Sequence, residues 1–520
     1  MSSTKAILLF FSFSTLLLLS IRNLDSRNTD SYSSIDYYKN TDSILSGKEL
    51  ANIYCKICHQ FPEPDLLDKN TWINSVLPNM GLRMGIKIPG VNAFAGTPKE
   101  DLDIVKSLGI YPDTPIITEN QWNKIIKYYK DEAPNEPLEQ KIESVKTNNL
   151  PLFKPENIFI NSKGFPRTSM LKFDESTDLL YVGDASNLIY VLDNKMNLKK
   201  TWKFQSPVVD IDFQENLTPR ILTIGTFSPS DQKLGSLLYN KNSKQKMSIL
   251  NLPRPVDFVT GDLNMDNKED VVICGFGHNR GKLVWYDNFE VEKEHVIKDI
   301  PGARKAEIID LNNDNKPDIM VLMAQAFEQI SIFYNKGNNQ FDEKIILKFP
   351  PVYGVSHFEL VDFNNDGYKD ILLTNGDNWD YSIIRKNYHG IRVYLNDGEN
   401  NFKESFFYPL YGASKAIARD FDNDGDLDIA ASAFYSNEDD PKQSFVYLSN
   451  KGNMNFNAHS IPEAASGKWL TMDAADYDND GDIDIFLGSY FHTFGEYFKQ
   501  VSKGVSTFPQ LLVLTNNLKQ

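Results

Sequence analysis

At 520 residues the chain is too long for a single core and should divide into two or more domains. Its 70 acidic against 54 basic side chains, a net charge of -16, argue against nucleic acid as a partner, because phosphate binding depends on clustered Lys and Arg. With only three cysteines, two of them in one short motif, there is no disulfide framework.

The N-terminus reads as an export signal. Lys5 precedes the apolar run from Ala6 to Leu19, which is broken only by Ser12, Ser14 and Thr15. Such a run is nearer the apolar stretch of a signal than the roughly twenty residues of a membrane span. No Ala-x-Ala site follows and Arg22 comes directly after, so residues 1–22 are expected as a signal peptide or a short N-terminal anchor. No cysteine closes the run, which argues against a lipoprotein signal. Residues 23–42, rich in Ser, Asn, Asp and Tyr without periodicity, suit a polar tether. The expected location is outside the cytoplasm, periplasmic or at the cell surface.

Residues 43–133 predict a small helical domain. A helix over Gly47–His59 delivers Cys55-Lys56-Ile57-Cys58-His59, and Pro62 and Pro64 stop it. C-x-x-C-H is the attachment pattern of haem c: two thiols bond the haem and the imidazole ligates its iron. The alternatives are half a zinc site or a thioredoxin-type dithiol. Zinc needs a second ligand pair, yet the remaining cysteine is the distant Cys274, and the βαβ setting of a thioredoxin motif is absent. Asp65 can cap a second helix reaching Leu77, and Glu119–Tyr129 places Trp122, Ile125, Ile126 and Tyr129 at helical spacing. The segment resembles a small c-type cytochrome, with its C-x-x-C-H helix, a methionine on a loop and an aromatic closing helix. That resemblance implies His59 as the proximal iron ligand and a methionine as the distal one. Met80, after Pro78 and before Gly81, stands ahead of Met84, although core filling is the commoner work of either.

Residues 134–152, with Pro134 and Pro137 among Glu, Lys and Asn, read as a linker. From residue 153 to 520 the chain repeats. Five acidic segments begin at Asp262, Asp310, Asp362, Asp420 and Asp476, each followed by an apolar strand such as Val271-Val-Ile or Ile371-Leu-Leu. Repeats of this length mean a solenoid, propeller or array, and their strand-rich content favours propeller blades. The pattern resembles the FG-GAP/VCBS repeats, the calcium-loop propellers also found in integrin α chains. Five looped blades and two weaker units near Phe173 and Val208 predict seven, with the segment near Phe153–Phe165 completing the last. The expected fold class is therefore multidomain: a small all-α cytochrome c-like domain, then an all-β seven-bladed propeller.

The loops also have a direct chemical reading. Oxygen side chains at loop positions 1, 3, 5 and 9 form the cage a hard cation such as calcium prefers. They are Asp262, Asn264, Asp266 and Asp270; Asp310, Asn312, Asp314 and Asp318; Asp362, Asn364, Asp366 and Asp370; Asp420, Asp422, Asp424 and Asp428; and Asp476, Asp478, Asp480 and Asp484. Up to five calcium ions are expected. Position 6 must turn sharply and is Gly367, Gly425 and Gly481, or Asn267 and Asn315, asparagine being the side chain that best tolerates a left-handed backbone. An EF-hand is excluded by the missing twelfth-position glutamate and the flanking strands.

Ahead of each loop, polar residues alternate with apolar ones on what should be the innermost strand. Lys305, Glu307, His357, Glu359, Lys415 and Asp473 are thus expected near the central channel, either as a site or as a ring of groups paired with one another. The function these observations imply is single-electron transfer by one covalent haem c, with the calcium-stabilised propeller binding a substrate or partner. The electrons would come from a redox partner protein or a small-molecule donor. Two alternatives remain for the propeller. One is a dehydrogenase-like redox domain feeding the haem; the other is a cell-surface adhesion module with a glycan or protein ligand. No flavin, quinone or nucleotide motif is visible, and His278, His295, His357, His389, His459 and His492 form no ligand-spaced cluster.

Overall fold

The computed structural model describes residues 44–141, 150–160, 165–214, 218–242, 245–378, 381–436, 440–502 and 504–518. The expected signal and tether, residues 1–42, lie outside the described residues. The chain divides into two compact units: Met1–Leu138 with Pro350–Val352 and Trp379–Ile384, and Glu139–Phe349 with Tyr353–Asn378 and Arg385–Gln520.

The first unit is helical. Helix α1, Gly47–Tyr54, starts with a capping box in which Ser46 and Glu49 exchange hydrogen bonds. It is shorter than its sequence suggests. Cys55–Ile57 tighten into a 3-10 turn, so the C-x-x-C-H string leaves the helix rather than lying on it. Asp68, not Asp65, caps helix α2, its Oδ1 accepting from the Thr71 N–H at 3.0 Å. Helix α2 runs through Lys69–Thr71, a π-turn over Trp72–Val76, and Leu77–Arg83. Pro78 accounts for the widened turn: it has no N–H to give the preceding turn, and the Leu77 N–H donates back to Trp72 O. Helices α3, Leu102–Ser107, and α4, Glu119–Glu132, complete the unit, α4 under a Thr118–Gln121 capping box. Leu50, Ala51, Tyr54, Trp72, Trp122, Ile125 and Tyr129 form the core. The Trp72 indole donates to Pro64 O at 2.8 Å and the Tyr129 hydroxyl to Pro62 O at 2.7 Å, so the turn after the motif is satisfied by core side chains.

The second unit is a seven-bladed propeller of four-stranded antiparallel sheets. Six blades are consecutive: 168–203, 208–252, 255–298, 303–348, 355–409 and 413–459. The seventh takes three strands from 469–516 and its fourth from Phe153–Ile158, paired in antiparallel register with Leu511–Asn516. The ring is thus closed by the first strand of the unit. Each blade's second strand is covered on both faces, which explains why it reads as a continuous apolar run rather than an alternation. Val271, Val272, Ile273 and Cys274 are all fully buried. The acidic segments connect the first and second strands of blades three to seven. Blade one has only a tight turn there, held by Asp174 accepting from Ser176 and Thr177 hydroxyls at 2.6 Å. In blade two, Arg220 stands at the register position that Asp270 holds in blade three. It pairs with Asp212 at 3.0 Å and with Glu269 of the next blade. Described residues of the expected linker are held at several points: the Lys69 N–H donates to Pro134 O at 2.7 Å, the Gln140 N–H to the Tyr411 hydroxyl at 3.1 Å, and the Asn517 N–H to Leu152 O at 2.8 Å. Among the described residues no helix is long and apolar enough to cross a membrane.

Candidate functional site

The C-x-x-C-H string occupies the exit of α1. Both Cys55 and Cys58 are unbridged thiols. Burial pushes the Cys55 thiol up to about 12 and raises Cys58 too, the latter against the opposing pull of Arg83. The His59 Nδ1 lies 2.8 Å from Gln60 O. A carbonyl only accepts, so Nδ1 is the donor in this contact, and Nε2 is the nitrogen that would ligate a metal. Met80 and Met84, like Cys55 and Ile57, are partly buried against the core of this unit. Neither sits on the expected open loop. Met80 lies within α2, and Met84 caps its end before Gly85, whose φ is +81°. The loop expected from Pro78 and Gly81 is helix because proline is tolerated in a first turn and the π-turn absorbs its missing donor. The thiol pair, the oriented imidazole and a thioether in the same apolar cluster are a donor set that fits a haem.

The five acidic loops share one backbone. Position 6 is left-handed in all of them, with φ of +62° at Asn267 and Asn315 and +89°, +95° and +87° at Gly367, Gly425 and Gly481. Position 4 is left-handed too, a feature the sequence reading missed: Asn313, Asn365, Asn423 and Asn479 take it readily, but Met265 also stands at +61°. The first aspartate of each loop accepts from the N–H groups of positions 5 and 6, as Asp420 does from Asp424 at 3.1 Å and Gly425 at 3.0 Å.

The ninth aspartates have a structural task besides. Asp270, Asp318, Asp370, Asp428 and Asp484 are fully buried. Each accepts from the N–H of an asparagine at the end of the third strand or, for Asn288, two residues past it: Asn288, Asn335 and Asn396 at 2.8 Å, and Asn450 and Asn516 at 2.7 Å. The sequence marks Asn335, Asn396 and Asn450 as an Asn-x-Gly turn after a strand, but not their bond to the ninth aspartate. Asn335 and Asn516 reach further, donating to Leu263 O at 2.7 Å and Phe421 O at 2.8 Å in the preceding blade's loop.

The last two loops differ from the rest. Asp420, Asp422 and Asp424, and likewise Asp476, Asp478 and Asp484, bring carboxylate oxygens within 4.8 Å of one another. Buried oxygens of Asp422, Asp478 and Asp480 have no hydrogen-bond partner. Burial raises Asp428 to about 6 and Asp484 to about 7. Crowded, desolvated carboxylates without donors are what an oxygen-loving cation satisfies.

The third group of candidates lies on the innermost strands. Phe258, Ala306, Phe358, Ala416 and Met472 are buried in the cores between blades. The polar residues flanking them stay half-buried, and several carboxylates latch neighbouring blades together. Asp257 accepts from the Ala306 N–H at 2.9 Å, Glu359 from Ala418 at 2.8 Å and Asp473 from Phe173 at 2.8 Å. Asp210, which the sequence reading did not single out, accepts from Phe258 at 3.2 Å. Glu307 pairs with Lys305 on its own strand, and Glu359 also takes Arg419 at 2.6 Å. His357 is held well below its ordinary value, by burial first and then by Lys305, Lys415 and Arg304. Lys415 is lowered by burial, which Asp473 only partly offsets. The paired-ring alternative therefore describes the carboxylates better than it describes His357 and Lys415.

No curated protein matches the chain in sequence. Among solved structures it resembles the Pan2 WD40 domain of Neurospora crassa at 11% identity, covering 67% of this chain and 88% of that one with a TM-score of 0.39. It also resembles the N-terminal domain of Nup159 at 10% identity, covering 72% and 99% with a TM-score of 0.41. The third likeness is to BBS1N, crystallised in complex with ARL6DN, at 8% identity, covering 71% and 98% with a TM-score of 0.43. Such likenesses carry no argument about function. The FG-GAP-like repeat profile matches four overlapping stretches, 262–321, 310–373, 374–431 and 420–487. The acidic blades of this seven-bladed propeller are FG-GAP-like repeats.

Proposed function

We propose that the chain is an exported electron-transfer protein whose FG-GAP propeller serves as a calcium-stabilised binding module. The observation that carries the redox half is the Cys55-x-x-Cys58-His59 string with both thiols unbridged and the His59 ring oriented by Gln60 O. Cys55 and Cys58 would hold the haem covalently, with His59 and either Met80 or Met84 as axial ligands. The group itself would supply a one-electron couple, whose potential methionine ligation raises. The binding half is supported by the repeats and by an exposed aromatic patch. Phe494 and Phe498, one turn apart on helix α5 (Phe494–Ser502), are 66% and 60% exposed. Calcium in the last two loops is supported by the unpartnered oxygens of Asp422, Asp478 and Asp480. The test is purification from a haem-maturing host. We expect one haem that survives denaturation, a low-spin reduced spectrum, and loss of attachment in the Cys55→Ala, Cys58→Ala double variant. Haem still attached in that variant would overturn the assignment. Carbon monoxide binding by ferrous Met80→Ala, but not by Met84→Ala, would identify Met80 as the distal ligand.

A further inference from the structure

The carboxylates around the propeller axis are provided for by the protein itself, whereas two of the donors are not. Asp210, Asp257, Glu359 and Asp473 each accept a backbone N–H from the next blade, and Glu307 accepts from Lys305. His357 and Lys415 hold the same register position on the innermost strands of adjacent blades, five and six, where Lys305 stands in blade four. The buried Nδ1 of His357 has no hydrogen-bond partner. Lys415 makes no ion pair or hydrogen bond among the described residues, although charges from four other blades bear on it: Lys172, Lys305, Glu359 and Asp473. Only at the axis do five blades come that close. Half-buried polar groups without partners are costly, and an acceptor is what Lys415 lacks.

We propose that the channel binds a small carboxylate, held by Lys415 with His357 as its second polar contact. Lys415 supplies the charge, and the imidazole, neutral in this setting, donates from whichever ring nitrogen faces the ligand. The surrounding acids explain the choice of anion. Asp210, Asp257, Glu307, Glu359 and Asp473 would repel a doubly charged phosphate more than a singly charged carboxylate. This site deepens the binding-module reading of the propeller and is independent of the haem and of the calcium loops.

The experiment follows thermal unfolding of the full, calcium-loaded chain in sodium acetate, sodium phosphate and sodium chloride at matched ionic strength. Acetate should raise the propeller transition saturably above the chloride control, and phosphate should not. Lys415→Met should weaken acetate binding on the order of tenfold or more, as loss of a charged hydrogen bond does. Without acetate it should melt no lower than the parent, because a half-buried cation without a partner has been removed. If Lys415→Met does not fold, His357→Gln reads the same loss of the acetate response. Identical transitions of the parent in acetate and chloride would overturn the site, as would an acetate effect undiminished in the variants. The haem spectrum and the response to chelator, recorded on the same samples, keep such a failure separate from failure of the wider functional reading.

Discussion

Met265 shows how a single side chain can be at odds with its loop. It takes the left-handed conformation at position 4 where the other four loops have asparagine, and it is 47% exposed, so packing does not require it. A left-handed backbone costs a non-glycine residue about 1 kcal/mol or more, and asparagine the least. Met265→Asn should therefore stabilise the propeller by about 0.5–1 kcal/mol, read as a higher urea midpoint with an unchanged slope. A lower midpoint would mean that the methionine side chain makes a contact worth more than the strain. The repeated left-handed asparagine at position 6 was legible in the sequence because the glycine copies mark the same position. Position 4 was not, since four of its five residues read as ordinary loop asparagines.

Within each blade, the loop and the strands it joins form one hydrogen-bonded unit. The ninth aspartate ties the loop to the third strand, so it holds the blade together whether or not a cation is present. The first aspartate of each loop also holds the turn by accepting two backbone N–H groups, whereas buried oxygens of Asp422, Asp478 and Asp480 have no partner without a cation. Charge count separates the loops: those at Asp420 and Asp476 have four carboxylates at positions 1, 3, 5 and 9, and the others have three carboxylates and one asparagine. More ligand charge raises calcium affinity, so these two loops should fill first and empty last. Binding at about 100 times the dissociation constant stabilises by about 2.7 kcal/mol per site. Calorimetry with and without chelator should show a lowered propeller transition, with the haem band almost unchanged. An unmoved transition would mean that the loops are empty acidic turns.

At the scale of the molecule, stability depends on contacts between blades and on closing the ring. Phe153, on the strand that completes blade seven, packs in T-shaped contacts at 5.8 Å from Phe421 and 5.6 Å from Tyr447 of blade six. Phe153→Ala should cost about 3–5 kcal/mol, the usual range for emptying a buried phenylalanine site. A loss under about 1 kcal/mol would show that the closing strand adds little. Asp210 and Asp257 face each other across adjacent blades, with Lys172 on one side and Lys305 on the other. Burial, followed by their mutual repulsion for Asp210, holds the pair above the usual carboxylate range. The folded state therefore binds more protons than the unfolded chain, and this pair's contribution to stability falls as pH rises above about 4. Asp210→Asn removes that titration, so urea unfolding of the parent should lose ground to the variant between pH 4.5 and 7.5. Because the acidic loops titrate alike in both proteins, they cancel in the comparison. A difference independent of pH would rule out the shared burial.

Seven blades, the loop spacing and the turn residues were legible because each arises within about fifty residues of chain. There, strand, loop and strand are neighbours in sequence, and alternation reports burial directly. The C-x-x-C-H motif was legible for the same reason. What only the tertiary structure decided are relations between distant residues. The closing strand meets its partner across more than three hundred and fifty residues, and the Asp473 latch spans three hundred. Likewise, Asn335 and Asn516 reach into the preceding blade's loop, and the unpartnered donors near the axis come from different blades. Local errors had a tertiary cause as well. Met80 lies in a helix because Trp72 and Leu77 pack into the core and draw α2 through Pro78, which no local propensity for a loop could resist. Hydrophobic pattern and turn chemistry act over a few residues, whereas hydrogen-bond partners and charge balance are settled only when the ring closes.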